Sequence, residues 1–325
     1  MNDLSQGLVY AHRIGRDRHQ TLGNWADIDT WRPEQGVLWV HLDADSETAL
    51  QWLERKSGLS PLIQEALLEQ GTRPRSVVGD AGLMVIVRGV NCNPGADPED
   101  MVAIRMYFAE RRIITMRRNR VRALQDVHDM LVGGRGPTTA GEFFVTVVDR
   151  ITDRIGEVVA DIEDRVADLE DSIVNGDTGE SRPRLAELRR ESISLRRYIA
   201  PQRDMLARLT HERIEWLSES DQKLLRENAE RTARYVEDID AARERALISQ
   251  EELNSRLAER MNRAMYTLSI VAAIFLPLGL LTGLLGINVG GIPGTENPWA
   301  FLIVSLALVV VAAVLVAWFK RIKWL

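Results

Sequence analysis

Few side chains in this sequence are placed to do chemistry together. The five histidines, His12, His19, His41, His128 and His211, are scattered without metal-ligand spacing and read as ordinary surface or packing residues. Cys92 is the single cysteine, which excludes an internal disulfide and a thiolate cluster and suits a body facing a reducing compartment. There is no phosphate loop, no Gly-x-Ser-x-Gly and no zinc-protease motif, so neither an enzyme nor a bound cofactor is expected. One group stands apart: Gly286-Ile287-Asn288, followed within the same short loop by Glu296, its only charge. Between Ala264 and Thr295 no Cys, His or carboxylate occurs, so the usual inner-sphere ligands of zinc are missing there. What this region offers a cation is the Asn288 carboxamide oxygen and backbone carbonyls.

The elements that carry this loop are two long uncharged stretches, Met265–Leu285 and Trp299–Phe319. Each has about the 20 apolar residues that cross a bilayer core. Arg256, Arg260 and Arg263 precede the first, and Lys320, Arg321 and Lys323 follow the second, whereas the loop 286–298 has no Lys or Arg. Because basic residues near span ends stay on the cytoplasmic side, both termini are expected there and the loop outside. Trp299, Trp318 and Trp324 sit at headgroup depth on this reading. No charged segment followed by an apolar run opens the chain, so the C-terminal spans are expected to direct insertion.

Ahead of the spans lies a larger polar body. Residues 1–136 are expected to form an α/β domain, with strands at Leu8–Ile14, Val37–Leu42, Leu83–Val90, Met101–Ala109 and Arg112–Arg117. Helices are expected at Ser46–Lys56, with Ser46 as its cap, and at Pro61–Gln70. Gly133-Gly134-Arg135-Gly136-Pro137 marks a boundary with a helical stalk, 137–264. Apolar residues at three- and four-residue steps from Phe144 to Ile173 predict one long helix ending at Asn175-Gly176. Leu185 to Leu209 predicts a second, kinked at Pro201. A third starts near Ser220-Asp221 and, with no Gly or Pro before Pro277, runs into the first span. Residues 265–325 form the transmembrane part. A net charge of −6 with interleaved arginines leaves no nucleic-acid footprint.

Counting back from the loop in steps of three and four picks out Gly286, Gly283, Gly279, Leu276, Ala272, Ser269, Met265 and Asn262 as one helix face. Two readings fit a face so rich in small residues: close helix packing, or the lining of a narrow conduit in a symmetric ring. The adjoining Gly-x-Asn loop favours the conduit. Continued toward the cytoplasm, the face carries Glu251, Glu244 and Glu237. These are either a solvated helix face or stacked acidic rings that concentrate cations below a pore.

Gly286-Ile287-Asn288 after a span, two closely spaced C-terminal spans and a long helix feeding the first together resemble the CorA-type superfamily of divalent-metal transporters. The string Gly286-Ile287-Asn288-Val289-Gly290-Gly291-Ile292-Pro293-Gly294 is similar to the ZntB zinc-transporter branch and departs from the Gly-Met-Asn of the magnesium members. Thr72-Arg73-Pro74-Arg75, Gly136-Pro137-Thr138, Ala200-Pro201-Gln202-Arg203-Asp204 and Lys323-Trp324-Leu325 extend the likeness over nearly the whole chain. The resemblance implies a homopentameric funnel: an α+β cytoplasmic domain, a long helical stalk and two C-terminal transmembrane helices, the first lining the pore. It implies proton-coupled zinc uptake through the lipid of a bacterial inner membrane, with self, divalent cations and protons as partners. Carried over by position, Gly286, Ile287 and Asn288 form the outer selectivity filter, and Asn262, Met265, Leu268, Leu276 and Gly279 the pore lining. Here the family position is Leu268 where the spacing selects Ser269. Glu296 would attract cations to the mouth. The rival readings are a magnesium or cobalt channel of the same fold, and a membrane-anchored sensor or scaffold.

Overall fold

The computed structural model describes residues 6–15, 19–79, 82–176, 181–287, 292, 294 and 297–322. The chain divides into two compact units, Met1–Gln250 and Glu251–Leu325.

In the first unit a seven-stranded sheet is built from β1 (Leu8–Ile14), β2 (Gln20–Thr21), β3 (Val37–Asp43), β4 (Arg75–Gly79), β5 (Gly82–Gly89), β6 (Val102–Ala109) and β7 (Arg112–Arg117), in the order β2-β1-β3-β7-β6-β5-β4. All neighbours are antiparallel except β3 and β7, which run parallel from Leu38↔Arg112 to Asp43↔Arg117. The central strands read as unbroken apolar runs because both faces are covered. On one face Leu38, Val40, Leu42, Ile86, Ile114 and Met116 join a core with Trp52, Leu53 and Leu67. Those last residues come from α2 (Glu47–Arg55) and α3 (Pro61–Leu68), with α1 (Trp25–Asp29) beside them. On the other face Trp39 meets Phe143 edge-on at 4.7 Å, and Phe108 meets Phe144 at 5.1 Å. These phenylalanines open α5 (Ala140–Val174), which follows α4 (Arg122–Val132).

Ser46 occupies the N-cap position of α2, as expected, but its hydroxyl makes no capping bond. It points instead at Gly7, where an added Cβ would lie 2.2 Å from Ser46 Oγ. In α3 the expected kind of cap is present, with Ser60 accepting from the Ile63 amide.

Three long helices complete this unit: α5, α6 (Ser181–Leu209) and the body portion of α7 (Glu219–Leu285). Of the apolar steps expected on α5, Ile151, Ile155, Ile162, Val166, Leu169 and Ile173 are buried, whereas at the expected Val158 it is the next residue, Val159, that is buried. The helix ends at Asn175, with Gly176 at φ +89°. Many of the helix charges pair between helices and not only along one helix. Arg165 grips Glu191 at 2.7 and 2.8 Å, Arg245 grips Glu170, Arg196 reaches Asp240 at 2.6 Å, and Arg231 bridges Asp149 and Asp153. Such two-pronged arginine contacts fix orientation more than single surface pairs do.

The second unit holds the end of α7 and α8 (Ala300–Arg321). Both helices are long and apolar enough to cross a membrane, and neither apolar stretch is buried inside the chain. At 1.5 Å per residue α8 is about 33 Å long, close to a bilayer core.

Candidate ion-conduction site

Within the second unit the shielding of α7 falls on Ile270, Ala273, Ile274 and Leu278, and that of α8 on positions such as Leu308, Val311, Leu315 and Phe319. At about 100° per residue, the shielded face of α7 lies opposite the predicted stripe. Asn262, Met265, Leu268, Ser269, Ala272, Leu276, Gly279 and Gly283 are all exposed. Leu268 and Ser269 flank the midline of that stripe on its two sides. Among the described residues a Cβ added at Gly279 or Gly283 would meet nothing within 4 Å, so contact with them does not demand glycine at either position.

The hydroxyls of Ser269 and Thr282 are satisfied locally, as a membrane requires. Ser269 Oγ donates to the Met265 carbonyl at 2.9 Å, and Thr282 Oγ1 lies 3.0 Å from the Leu278 carbonyl. Ser269 therefore turns only lone pairs outward. The Gly286 amide donates to the Thr282 carbonyl at 2.9 Å, closing the helix just before the filter motif. Ile287 is exposed. Asn288 and Glu296 lie outside the described residues.

In the body, Glu237 and Glu244 sit on the exposed side of α7, away from buried Val236, Ile239, Ala242 and Ala246. Glu251, at the start of the second unit, is exposed as well. Among the described residues none of these three carboxylates has an ion-pair partner, whereas neighbouring Asp240 and Glu252 pair with Arg196 and Arg256. Uncompensated carboxylates supply a negative field that paired ones do not. Elsewhere in the body, a pocket of about 390 Å³ between α5 and α6 gathers Glu99, Glu157, Asp161, Glu187 and Glu191 around Arg165. Burial first, then the charges of Glu191, Asp97 and Asp100, push the Glu99 carboxyl up.

Three of the histidines, read from the sequence as surface or packing residues, pack close together. His12 on β1 and His41 on β3 share one face of the sheet with Tyr10 and Trp39, and α4 lays His128 over them. His12 Nε2 lies 2.8 Å from His128 Nδ1, Tyr10 stacks on His128 at 3.9 Å, and Tyr10 bonds to Gln125. His41 Nδ1 and Trp39 Nε1 both lie 2.8 Å from Thr115 Oγ1. Burial, then the charges of His128 and His19, hold His12 down at about 4. Burial, then the charge of Arg117, holds His41 at about 3. The signal available beforehand was the two-residue spacing Tyr10/His12 and Trp39/His41 on paired strands. Among the described residues no three His, Cys, Asp or Glu side chains stand ready-made around a metal position.

Comparison with known proteins agrees with this architecture. Residues 34–321 match the family described as CorA-like Mg2+ transporter protein. The divalent cation transporter CmaX of Pseudomonas aeruginosa is 39% identical over 325 residues, covering 98% of this chain and 97% of that protein. The zinc transport protein ZntB of Yersinia pseudotuberculosis is 37% identical over 317 residues, covering 98% and 96%. The solved structure of the full-length CmaX protein superposes with a TM-score of 0.85 at 37% identity, covering 98% of both chains. The α+β body, the long helix and the paired apolar C-terminal helices are thus those of a known membrane-transporter fold. The chain belongs to the CorA-like Mg2+ transporter family, whose members are ion transporters and not enzymes.

Proposed function

We propose that this chain assembles as a homopentamer in a bacterial inner membrane and takes up zinc, with α7 lining the pore and the Gly286-Ile287-Asn288 loop forming its outer filter. The observation that carries this reading is the exposed stripe from Asn262 to Gly283, opposite the shielded side of α7 and leading to that loop. Five Asn288 carboxamide oxygens, with nearby backbone carbonyls, hold a zinc ion that keeps its water shell. Binding through water is weak enough to release the ion, as conduction requires. Glu296 at the mouth and Glu251, Glu244 and Glu237 along the cytoplasmic helix attract the cation without chelating it. Both termini are cytoplasmic on this reading, consistent with the basic residues that flank the two spans.

From Ala264 to Thr295 there is no acid, histidine, lysine or arginine to carry a proton. Coupling to protons is therefore assigned to the cytoplasmic carboxylates Glu237, Glu244 and Glu251. A magnesium channel is the second reading, favoured by the description of the matched family. It differs in the ion that competes: excess Mg2+ suppresses flux through a magnesium channel and leaves zinc uptake standing in the proposed transporter.

The test is Asn288→Ala in proteoliposomes. Zinc uptake is expected to be abolished while the oligomer elutes unchanged on size exclusion. Normal uptake by the variant rejects the filter assignment.

A further inference from the structure

At one end of the body sheet lies a groove of about 1030 Å³, bordered by the ends of β4 to β7 and by the segment between α6 and α7. All of its lining belongs to the first unit. Three aromatic side chains give it flat walls. Trp31 is 9% exposed, Tyr107 is buried, and half-buried Trp216 is backed by Phe108 at 5.6 Å between ring centroids. Arg111, Arg112 and Arg213 add donors to this lining, and Glu110 and Glu215 add acceptors. The Arg112 guanidinium lies 5.5 Å from the centre of the Trp31 ring and donates to the Ser57 carbonyl. Trp31 Nε1 is buried with no hydrogen-bond partner. A buried N–H without an acceptor is costly, so the part of the groove shared by Trp31 and Arg112 calls for one. Among the described residues Arg112, Arg213 and Glu215 have no ion-pair partner, and Arg111 meets only exposed Glu110, at 3.5 Å.

This mixture of groups selects the ligand. A bare oxyanion makes no use of three aromatic walls and is repelled by two carboxylates, an apolar molecule leaves three guanidiniums unused, and a cation is repelled by them. A ribonucleotide carries a flat base to stack on an aromatic ring, phosphate oxygens for arginine and hydroxyl donors for carboxylates. A groove of this order of volume accommodates a molecule of that size. We propose that the groove binds a nucleoside monophosphate reversibly, in the body of the protein. The base lies on Trp216, and Arg111 and Arg213 hold the phosphate. Trp31 Nε1 and Arg112 donate to acceptor atoms of the base or ribose, while Glu110 and Glu215 accept from the ribose hydroxyls. The site uses no residue of the α7 stripe or of the filter loop, so it stands or falls separately from the transport reading.

The test is equilibrium dialysis of radiolabelled adenosine 5′-monophosphate against the full-length protein in detergent, without zinc. Saturable binding is expected, with adenosine and inorganic phosphate each displacing the label at least tenfold more weakly than the unlabelled nucleotide. Arg213→Gln, an exposed substitution between α6 and α7, is expected to weaken binding at least tenfold. Arg135→Gln, at an exposed arginine lining a different cavity, is expected to bind like the unsubstituted protein. The nucleotide should raise the melting temperature of the unsubstituted protein and of Arg135→Gln more than that of Arg213→Gln. Absence of saturable binding by the unsubstituted protein overturns the site, whether or not the variants fold. Displacement by phosphate or by adenosine as strong as by the nucleotide overturns it too, as does equal affinity in a folded Arg213→Gln.

Discussion

Gly279 and Gly283 are small, yet among the described residues of the chain no neighbour requires it. In a helix interior glycine is about 1 kcal/mol worse than alanine, so their smallness serves something beyond the single chain. If that is an open path for ions, Gly283→Leu leaves the melting temperature of the protein nearly unchanged, within about 0.5 kcal/mol. It cuts zinc flux more than tenfold with the oligomer intact. Dissociation of the oligomer would instead mark this face as a packing surface. His41 is fully buried and held at about 3. The unfolded chain binds a proton at this residue near 6.5, the folded chain only near 3, so stability is full above 6.5 and declines as pH falls toward 3. Between pH 7 and pH 5 this residue alone removes about 2 kcal/mol. Thermal melts of the metal-free protein followed by tryptophan fluorescence check it. Equal melting temperatures at the two pH values would contradict a neutral buried His41.

At the scale of elements, α7 depends on how it starts. Ser218 Oγ accepts from the Asp221 amide at 3.2 Å, and the Ser218 amide donates to Asp221 Oδ2 at 3.0 Å, a reciprocal cap. Asp221 is seated against Gly141 of α5, where an added Cβ would lie 2.4 Å from Asp221 Oδ2 and 3.0 Å from the Trp216 carbonyl. Gly141→Ala therefore displaces the cap and is expected to cost about 1–3 kcal/mol, seen as a lower melting temperature. Unchanged stability would mean that the cap is free to move aside. Elements with a strong period were legible in advance: β1, β3 and β5 to β7 from their aliphatic runs, α5 and α6 from three- and four-residue steps, and α7 from its lack of breakers. β4 was not legible, because Val77 and Val78 on that edge strand are exposed and leave no burial pattern. Short α1, two-residue β2 and the mixed sequence of α4 gave equally little periodic signal. The histidine cluster was hidden for another reason. The two-residue spacings put Tyr10 with His12 and Trp39 with His41 on one face of each strand, but their meeting with His128 depends on the β1–β3 register and the docking of α4.

At the scale of the whole molecule, the chain separates two electrostatic jobs. Arginine and carboxylate partners on α5, α6 and α7 neutralise each other between helices, while among the described residues exposed Glu237, Glu244 and Glu251 have no ion-pair partner. The first apolar stretch has no carboxylate, histidine, lysine or arginine before the loop, so no formally charged side chain acts on an ion there near neutral pH. A ring of such chains therefore accounts for attraction, passage and release with separate parts. The most direct measurement is zinc flux into proteoliposomes holding the purified full-length oligomer, with pH gradients of both signs imposed. Uptake well above protein-free vesicles is expected, fastest when protons and zinc run down into the same compartment, and persisting in excess Mg2+. Zinc flux no greater than that of protein-free vesicles would contradict it.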